Sequence, residues 1–301
     1  MNKYDLIIVG AGSAGLTAGL YAARRGINTA IISKNIGGVA NSIMLLENWP
    51  GFKGNGMELM KKFYEQVKSY KIDFIMDEVK EIKKQGEKFT MKADGKTFEA
   101  KALILATGVK RKDLKIPGEE RLKGKGVSYC VTCDGYFFKN KVVAVIGGSD
   151  CAAISAIALT DIAKKVYVLY RGEYLRCEDV NSKRLEKNKK VEIVYNAIPL
   201  EIKGEDKVES IIIEENKKKR EIKLDAVFVE IGSAPLIEFA KDLKLKLDKE
   251  EFIIVDKNMK TSVPGVFAAG DITNSDVKQV VVAAAEGAIA AKNSHEYLKK
   301  L

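Results

Sequence analysis

Metal-ligating side chains are scarce in this chain of 301 residues, which contains one His and four Cys. A structural zinc site needs about four Cys or His ligands at paired spacing. Apart from Cys130 and Cys133, the remaining candidates Cys151, Cys177 and His295 stand singly along the chain. The sequence therefore predicts no metal site.

Long apolar runs are also missing, since no stretch approaches the roughly 20 apolar residues that span a bilayer. The chain begins almost directly with an apolar run at residues 4–9, so we expect no signal peptide and no membrane association. Isolated cysteines beside a single Cys-x-x-Cys pair suit a reducing compartment. These features together predict a cytoplasmic location.

The chain has more basic than acidic residues, with a formal net charge of +10. Lysine and glutamate are interspersed, as in 183–190, and no nucleic-acid motif or platform of aromatic and basic residues is present. We therefore expect a solvated charged surface and no nucleic-acid partner. Electrostatic docking of an acidic protein is the alternative.

A glycine-rich loop follows the first apolar run. Residues 4–9 have the composition of a buried parallel strand, and Gly10, Gly12 and Gly15 open a helix-like stretch at 16–25. In this order, Gly10 permits a tight turn, Gly12 lets the backbone approach a pyrophosphate and Gly15 lets the helix pack on the strand. The segment predicts a dinucleotide-binding unit.

The stretch that follows gives weaker signals. Residues 47–52 have the composition of a loop with a turn at Pro50 and Gly51. The runs 74–76, 89–91 and 97–100 alternate and predict a small antiparallel layer. Residues 103–108 predict a separate buried strand that ends in small residues.

The strand–glycine–helix pattern returns in the second half of the chain. The apolar run at 141–146 is followed by Gly147 and Gly148, with Ser149 at the place of the middle glycine. After the next strand, at 165–170, come Arg171 and Arg176, which either pair with a 2′-phosphate or lie on the surface. The sequence predicts a second, degraded dinucleotide-type unit.

Between these units lies the pair Cys130 and Cys133, with Asp134 immediately after it. A Cys-x-x-Cys spacing lowers the pKa of one thiol, so that it exchanges with a partner's disulfide, and an adjacent acid can serve as its acid/base. A zinc half-site lacks further ligands, and a structural bridge across so short a loop stabilises little. The pattern favours a redox disulfide.

Taken in order, these motifs resemble low-molecular-weight thioredoxin reductases over nearly the whole chain. The resemblance is carried by the glycine loop at 10–15, the segment 47–51, the turn 106–108, the redox segment 128–135 and the segment 266–271. It implies an α/β fold with two Rossmann-like, three-layer dinucleotide-binding domains, the second inserted into the first. The implied domains are residues 1–112 with 237–301, which bind FAD, and residues 113–236, which resemble an NADPH-binding domain.

The resemblance also implies roles for individual residues. Cys133 would lie against the flavin, Cys130 would attack a thioredoxin or glutaredoxin-like protein, and Asp134 would act as acid/base. The residues expected to hold FAD are Gly10, Gly12, Ser13, Ala14, Gly15, Lys34, Asn48, Thr107, Gly108, Gly270, Asp271 and Gln279. Those expected at a nicotinamide nucleotide are Gly147, Gly148, Ser149, Asp150, Arg171 and Arg176.

The family resemblance further implies a homodimer and a rotation of the inserted domain, with hinges near 112–118 and 232–235. NADPH is the expected donor. The chain departs from the family at Ser149 and at Gly172, which makes a reduced deazaflavin coenzyme or ferredoxin the alternative donors. Two other classes of function are a ferredoxin–NADP reductase-like flavoenzyme without a thiol step and a flavin-binding redox sensor without catalysis.

Overall fold

The computed structural model describes residues 2–43 and 45–301. The chain divides into two compact units. The first consists of Met1–Asn41, Leu46–Lys110 and Ala234–Leu301, and the second of Ser42–Leu45 and Arg111–Ser233. The helices are α1 (Ser13–Ala23), α2 (Gly56–Lys68), α3 (Val131–Asp134), α4 (Asp150–Thr160), α5 (Asp179–Lys187) and α6 (Val280–Leu298).

The strands are short except for the two that cross the middle of the first unit. In chain order they are β1 (Asn2–Ala11), β2 (Thr29–Ile36), β3 (Leu46–Trp49), β4 (Phe52–Gly54), β5 (Asp73–Met76), β6 (Val79–Gln85), β7 (Lys88–Ala93), β8 (Lys96–Leu105), β9 (Val109–Arg111), β10 (Val127–Ser128), β11 (Val142–Ile146), β12 (Lys165–Leu169), β13 (Val191–Val194), β14 (Ala197–Lys203), β15 (Ser210–Glu215), β16 (Lys218–Lys223), β17 (Ala226–Val229), β18 (Ser233–Pro235) and β19 (Val266–Ala268).

The first unit is built on a sheet in the order β5-β2-β1-β8-β7-β6, with β19 also paired to β8. The strands β5, β2, β1, β8 and β19 are parallel, and β7 and β6 add an antiparallel edge. The inner strand β1 is buried from Ile7 to Ala11 on both faces, as a parallel strand covered by helices must be. Its carboxyl end points towards the first glycine loop.

The second unit contains a wholly parallel sheet in the order β10-β17-β11-β12-β13. A separate antiparallel sheet, β14-β15-β16, contributes Ile202, Ile211, Ile213 and Ile222 to the same core as β17. Helices α4 and α5 belong to the parallel part. The parallel sheets and the connecting helices confirm the predicted α/β class.

Three local predictions were wrong. Residues 47–52 form a hairpin of β3 and β4 around the predicted turn, so that Trp49 pairs with Phe52. The run 74–76 joins the parallel sheet beside β2 and does not belong to the antiparallel layer. Residues 97–100 and 103–105 form one strand, β8, whose first half is also paired antiparallel to β7. Its burial changes from alternating to continuous, because the first half exposes one face of the strand whereas both faces of the second half are covered.

The charged stretch 183–190 overlaps helix α5, which the sequence did not predict. Along this helix only Asn181 and Leu185 are buried, and the first turn carries Asp179 while the last carries Arg184 and Lys187. The charges therefore suit the helix macrodipole, but two buried positions give almost no apolar periodicity. The surface is solvated, as expected, and it is helical.

A buried ion pair lies at the carboxyl end of β17. Glu230 is 3% exposed and its Oε2 lies 2.5 Å from Nη1 of Arg111, without hydrogen-bond geometry. Its Oε1 accepts a hydrogen bond of 2.8 Å from the Ser155 hydroxyl. The pKa of Glu230 is raised above its usual value, because the effect of burial exceeds the opposing effects of Arg111 and Ser155. The charge of Arg111 thus compensates for much of the cost of burying this carboxylate.

Replacing Arg111 by Met should lower the free energy of unfolding at pH 8 by about 3 kcal/mol, because it leaves a buried carboxylate uncompensated. The loss should shrink towards pH 5. A raised pKa in the folded state means that stability is present below the unfolded pKa and declines as the pH rises through the folded one. Urea unfolding at several pH values measures both effects.

The second change Glu230→Gln, made in the Arg111→Met protein, should restore most of the lost stability. Lys141→Met is a matched control, because Lys141 pairs with Asp225 at 3.5 Å in the same unit but at an exposed position. This control should lose less than about 1 kcal/mol. A pH-independent loss in Arg111→Met would contradict the assignment of a buried, compensated charge.

Candidate functional site

Three segments far apart in sequence meet at one edge of the first unit's parallel sheet. Gly10 lies at the end of β1, Ala106 follows β8 and Gly270 follows β19, and these strands are neighbours. The N–H of Ala106 donates to Val9 O at 2.8 Å, and the N–H of Ala269 donates to Leu105 O at 3.0 Å. Ligands of α/β sheets bind at the carboxyl ends of the strands. This edge therefore has the position of a cofactor site.

In the glycine loop, the packing leaves no room for a Cβ on Gly10 or Gly15, whereas a Cβ on Gly12 would fit. A Cβ on Gly10 would lie 2.3 Å from Ala106 O, and one on Gly15 would lie 1.9 Å from Gly10 O. A Cβ on Gly12 would come no closer than 3.8 Å to any neighbour, at Gly37 O. Gly12 is also the N-cap of α1 and supplies no side-chain cap. The open, uncapped helix end is suited to an anion.

Ser13 and Ala14 belong to the same helix start. The Ser13 hydroxyl donates to Val280 O at 2.8 Å, and a Cβ on Gly287 of α6 would lie 2.2 Å from Ala14 O. Helix α6 is thus pressed against the loop through a glycine. The Thr107 hydroxyl donates to Leu236 O at 2.7 Å. These contacts order the backbone around the predicted cofactor edge.

Other predicted flavin residues are brought to this unit from both ends of the chain. The Asn48 amide donates to Gln279 Oε1 at 3.0 Å across 231 residues of sequence. Gly108 and Gly270 have φ of +66° and +80°, and both follow strand ends. Asp271 is half-buried beside Gly270.

Lys34 is the exception. Its side chain is 74% exposed and lies 3.7 Å from Glu78, so the structure pairs it with a surface carboxylate.

The buried Glu286 of α6 was not found from the sequence. Its Oε2 accepts a hydrogen bond of 2.7 Å from the N–H of Gly270. Among small apolar neighbours on a helix, one acid looks like a solvent-facing residue, and only the fold shows that it is 7% exposed. Its carboxylate fixes the turn that carries Asp271.

The second unit carries the redox pair. Cys130 and Cys133 form a disulfide with a Cα–Cα distance of 5.3 Å, and the N–H of Cys133 donates to Cys130 Sγ at 3.2 Å. Cys130 is half-buried and Cys133 is exposed. A donor aimed at a sulfur favours its thiolate once the disulfide is reduced. The geometry thus favours Cys130 as a nucleophile.

Asp134 closes this short helix, and Ser128 holds it. The Ser128 hydroxyl donates to Asp134 Oδ2 at 2.6 Å and accepts from the N–H of Cys130 at 3.1 Å. Ser128 is 4% exposed, at the end of β10. In the sequence Ser128 is recognisable only as part of the motif, because a serine gives no indication by itself of which acid it will contact.

The residue between Ser128 and Cys130, Tyr129, is hydrogen-bonded to a buried carboxylate. Glu119 is 3% exposed, and it accepts hydrogen bonds from the N–H groups of Leu114 and Lys115 and from the Tyr129 hydroxyl at 2.6–2.7 Å. Burial first, and then the hydrogen bond to Glu119, raise the pKa of Tyr129. Acids after a Pro-Gly turn usually face solvent, so no sequence signal identified Glu119.

Two exposed aromatic side chains directly follow the redox segment. Tyr136 and Phe137 are 74% and 80% exposed. Their position directly after Cys133, Asp134 and Gly135 could have predicted a docking surface from the sequence alone, because aromatic side chains are enriched where proteins dock.

The second glycine loop joins a strand to a helix as the first does, but the residues around its glycines differ. A Cβ on Gly147 would lie 2.3 Å from Glu230 O, so this glycine packs as Gly10 does. Gly148 faces the ring of Tyr170, which a Cβ would meet at 2.5 Å. Ser149 occupies the N-cap of α4 without a side-chain cap. The loop retains a helix end but not the open glycine of the first unit.

Some of the other residues predicted to bind the nucleotide contact this loop or the segment beside it. The N–H of Arg176 donates to Gly148 O at 2.7 Å, and Asp150 Oδ1 accepts from the N–H of Glu178 at 2.8 Å. The side chains of Arg171 and Arg176 are exposed. Of these two arginines, Arg176 contacts the loop, and it does so through its backbone N–H.

Among the described residues, no group of three or more His, Cys, Asp or Glu side chains could hold a metal ion. No helix in the described part of the chain is long and apolar enough to cross a membrane.

Comparison with known proteins identifies the family. The family model described as "Pyridine nucleotide-disulphide oxidoreductase" matches residues 4–287. The chain belongs to this family. A thioredoxin reductase of Helicobacter pylori is 40% identical over 98% of this chain and 99% of its own length. One of Listeria monocytogenes is 36% identical over 99% of this chain and 95% of its own length.

Solved structures of this family have the same fold. A thioredoxin reductase of Lactococcus lactis covers 99% of this chain and 100% of its own with a TM-score of 0.97 and 34% identity. That of T. acidophilum covers 98% and 99% with a TM-score of 0.95 and 37% identity. These matches confirm the two-domain Rossmann-like fold class and the resemblance found in the sequence. The chain is an oxidoreductase of this family.

The different surroundings of Gly12 and Gly15 lead to a paired prediction. Gly12→Ala should leave the stability of the apoprotein within about 0.5 kcal/mol, because its Cβ would make only an ordinary contact with Gly37 O, and should weaken FAD binding about tenfold. Gly15→Ala should lower the free energy of unfolding by about 3 kcal/mol, because its Cβ would overlap Gly10 O. Urea unfolding of the apoprotein and flavin-fluorescence titration measure the two effects. Equal effects of both changes on stability would show that Gly12 is not ligand-facing.

Proposed function

We propose that this protein is a thioredoxin-disulfide reductase. The observation that carries the proposal is the Cys130–Cys133 disulfide, with Asp134 directly after it and a backbone N–H on Cys130 Sγ. Relatives that match nearly the whole chain bear the name thioredoxin reductase. A flavoenzyme without a thiol step would have no use for this disulfide, and a non-catalytic sensor would have no use for the acid beside it.

FAD fits the first unit. The open Cβ side of Gly12, the uncapped start of α1 and the strand-end turns at Thr107 and Gly270 together form a cradle for an extended, anionic cofactor. We propose that the first unit is the FAD-binding domain, with Asp271, Asn48 and Gln279 as polar contacts. When bound, FAD supplies the two electrons that reduce the disulfide.

The thiol steps are those of the chain's own residues. Reduced Cys130 attacks the partner's disulfide as a thiolate, which breaks that bond and forms a mixed disulfide. Cys133 then gives its proton to Asp134 and attacks Cys130 Sγ, which releases the partner and restores the Cys130–Cys133 bond. The partner, a thioredoxin or glutaredoxin-like protein, gains two electrons. Its two sulfurs take up the proton that Asp134 accepted and one from solvent, which replaces the proton that Cys130 lost on forming its thiolate, so that the partner ends as a dithiol.

Exposed aromatic side chains support docking of a protein at this site. Tyr136 and Phe137 lie within four residues of Cys133 and are largely exposed, which places apolar contact area beside the reactive sulfurs. The net charge of +10 would favour an acidic partner. A homodimer and a cytoplasmic location, as in the sequence analysis, complete the proposal.

The second glycine loop does not fit a dinucleotide pyrophosphate as the first does. The middle glycine is replaced by Ser149, Tyr170 covers Gly148, and two carboxylates, Asp150 and Glu230, lie at the loop or beneath it. These residues do not fit the pyrophosphate of NADPH at this loop. NADPH is the donor that the family predicts, and a reduced deazaflavin coenzyme or ferredoxin are the alternatives, which need not use this loop.

Anaerobic bleaching of the flavin absorbance distinguishes these donors. NADPH, NADH, a reduced deazaflavin coenzyme and reduced ferredoxin are added separately to the purified holoenzyme. Because Ser149 and Tyr170 crowd the second loop, we expect NADPH to bleach the flavin at least tenfold more slowly than the effective donor. Rapid bleaching by NADPH would show instead that the loop accepts a dinucleotide.

Replacing Cys130 by Ser should abolish reduction of an oxidised thioredoxin and leave FAD bound and reducible, because only the nucleophile is lost. Cys151→Ser is the matched control, since Cys151 is a free cysteine of the same unit. Steady-state reduction of thioredoxin and the flavin spectrum measure the two properties. Turnover of thioredoxin by the Cys130→Ser protein would refute the proposed function.

A further inference from the structure

The contact between Ser128 and Asp134 has no role in the mechanism above. Ser128 is the last residue of β10, where it pairs with Phe228 of β17 in the parallel sheet. Asp134, in contrast, ends a helix of only four residues. Such a short helix holds its own side chains poorly, because it contains almost no internal hydrogen bonds. The sheet therefore supplies the rigid end of this contact.

The hydroxyl of Ser128 has one proton, and its geometry shows where that proton goes. Asp134 Oδ2 lies at 2.6 Å and Cys130 O at 3.4 Å, so the hydroxyl donates to the carboxylate. Its lone pairs accept the N–H of Cys130 at 3.1 Å. One buried side chain thus ties the acid to the backbone of the attacking cysteine.

We infer that Ser128 is a positioning residue for Asp134 in the second thiol step. The inference rests on the proposed function, in which Asp134 takes the proton of Cys133 while Cys133 attacks Cys130 Sγ. Because Ser128 holds Oδ2, the carboxylate presents Oδ1 to that proton. Without Ser128 the carboxylate rotates about its side-chain bonds, and the mixed disulfide with the partner resolves more slowly. The first step, attack by the Cys130 thiolate, needs no proton from Asp134.

The test uses holoenzyme that has been reduced with dithiothreitol, freed of reductant and mixed with an oxidised bacterial thioredoxin. This single turnover needs no knowledge of the physiological donor. Acid quenching, thiol alkylation and non-reducing gels follow the mixed disulfide and the released thioredoxin. For Ser128→Ala we expect release about tenfold slower, a part of the roughly 100-fold or more that a positioned acid–base group contributes. The second-order rate constant for forming the mixed disulfide should be unchanged, and the mixed disulfide should accumulate.

A matched control exists in the same unit. Ser210 is 5% exposed and its hydroxyl donates to Glu221 Oε1 at 2.6 Å, but it lies in the antiparallel sheet. Ser210→Ala removes the same kind of bond and should release thioredoxin at the native rate. Ser128→Thr keeps the hydroxyl and should recover most of the lost rate.

A double-mutant cycle separates positioning from a general structural effect. In an Asp134→Asn background, Ser128→Ala should cause no further slowing, since the residue acts through Asp134. If Ser128→Ala slowed release equally in the native and the Asp134→Asn protein, or if Ser128→Ala released thioredoxin at the native rate, this inference would be overturned while the proposed function would stand. A native rate for Asp134→Asn would instead remove Asp134 from the proposed mechanism.

Discussion

Backbone atoms at the start of α1 approach their neighbours so closely that no side chain fits between them. Gly15 packs on the carbonyl of Gly10, and Gly10 packs on the carbonyl of Ala106. This approach brings the ends of β1 and β8 and the start of α1 into one edge. The contacts of Gly270 and Gly287 with Ala14 then place β19 and α6 against the same helix start. The predicted cofactor edge takes this form because these four glycines lack a Cβ.

Carboxylates fix the irregular segments of both units. Glu286 holds the N–H of Gly270, Glu119 holds two backbone N–H groups and the Tyr129 hydroxyl, and Glu230 is held by Arg111 and Ser155. Each is at most 7% exposed, so that an unpartnered charge there would be costly. Asp134 is the half-buried counterpart at the redox pair, and its partner is Ser128. Turns and short helices, which hold themselves poorly, are thus tied to sheets and long helices.

Sequence patterns predicted the elements that have one environment along their length. The strand β11 is apolar throughout and was identified, as was the buried apolar stretch of β1. The prediction failed where the environment changes within an element. Strand β8 passes from an alternating to a fully buried pattern and was read as two strands. Helix α5 buries only two residues and was read as charged surface.

By itself, the sequence determined the family, the fold class, the redox pair and the glycine loops, because each depends on residue types at fixed spacing within a short segment. Only the tertiary structure decided which side chains meet. It joined Asn48 to Gln279, buried Glu119 and Glu230, and placed Ser128 on Asp134. Hydrogen bonds and ion pairs between distant segments depend on strand order and on packing, and neither is written in a local pattern.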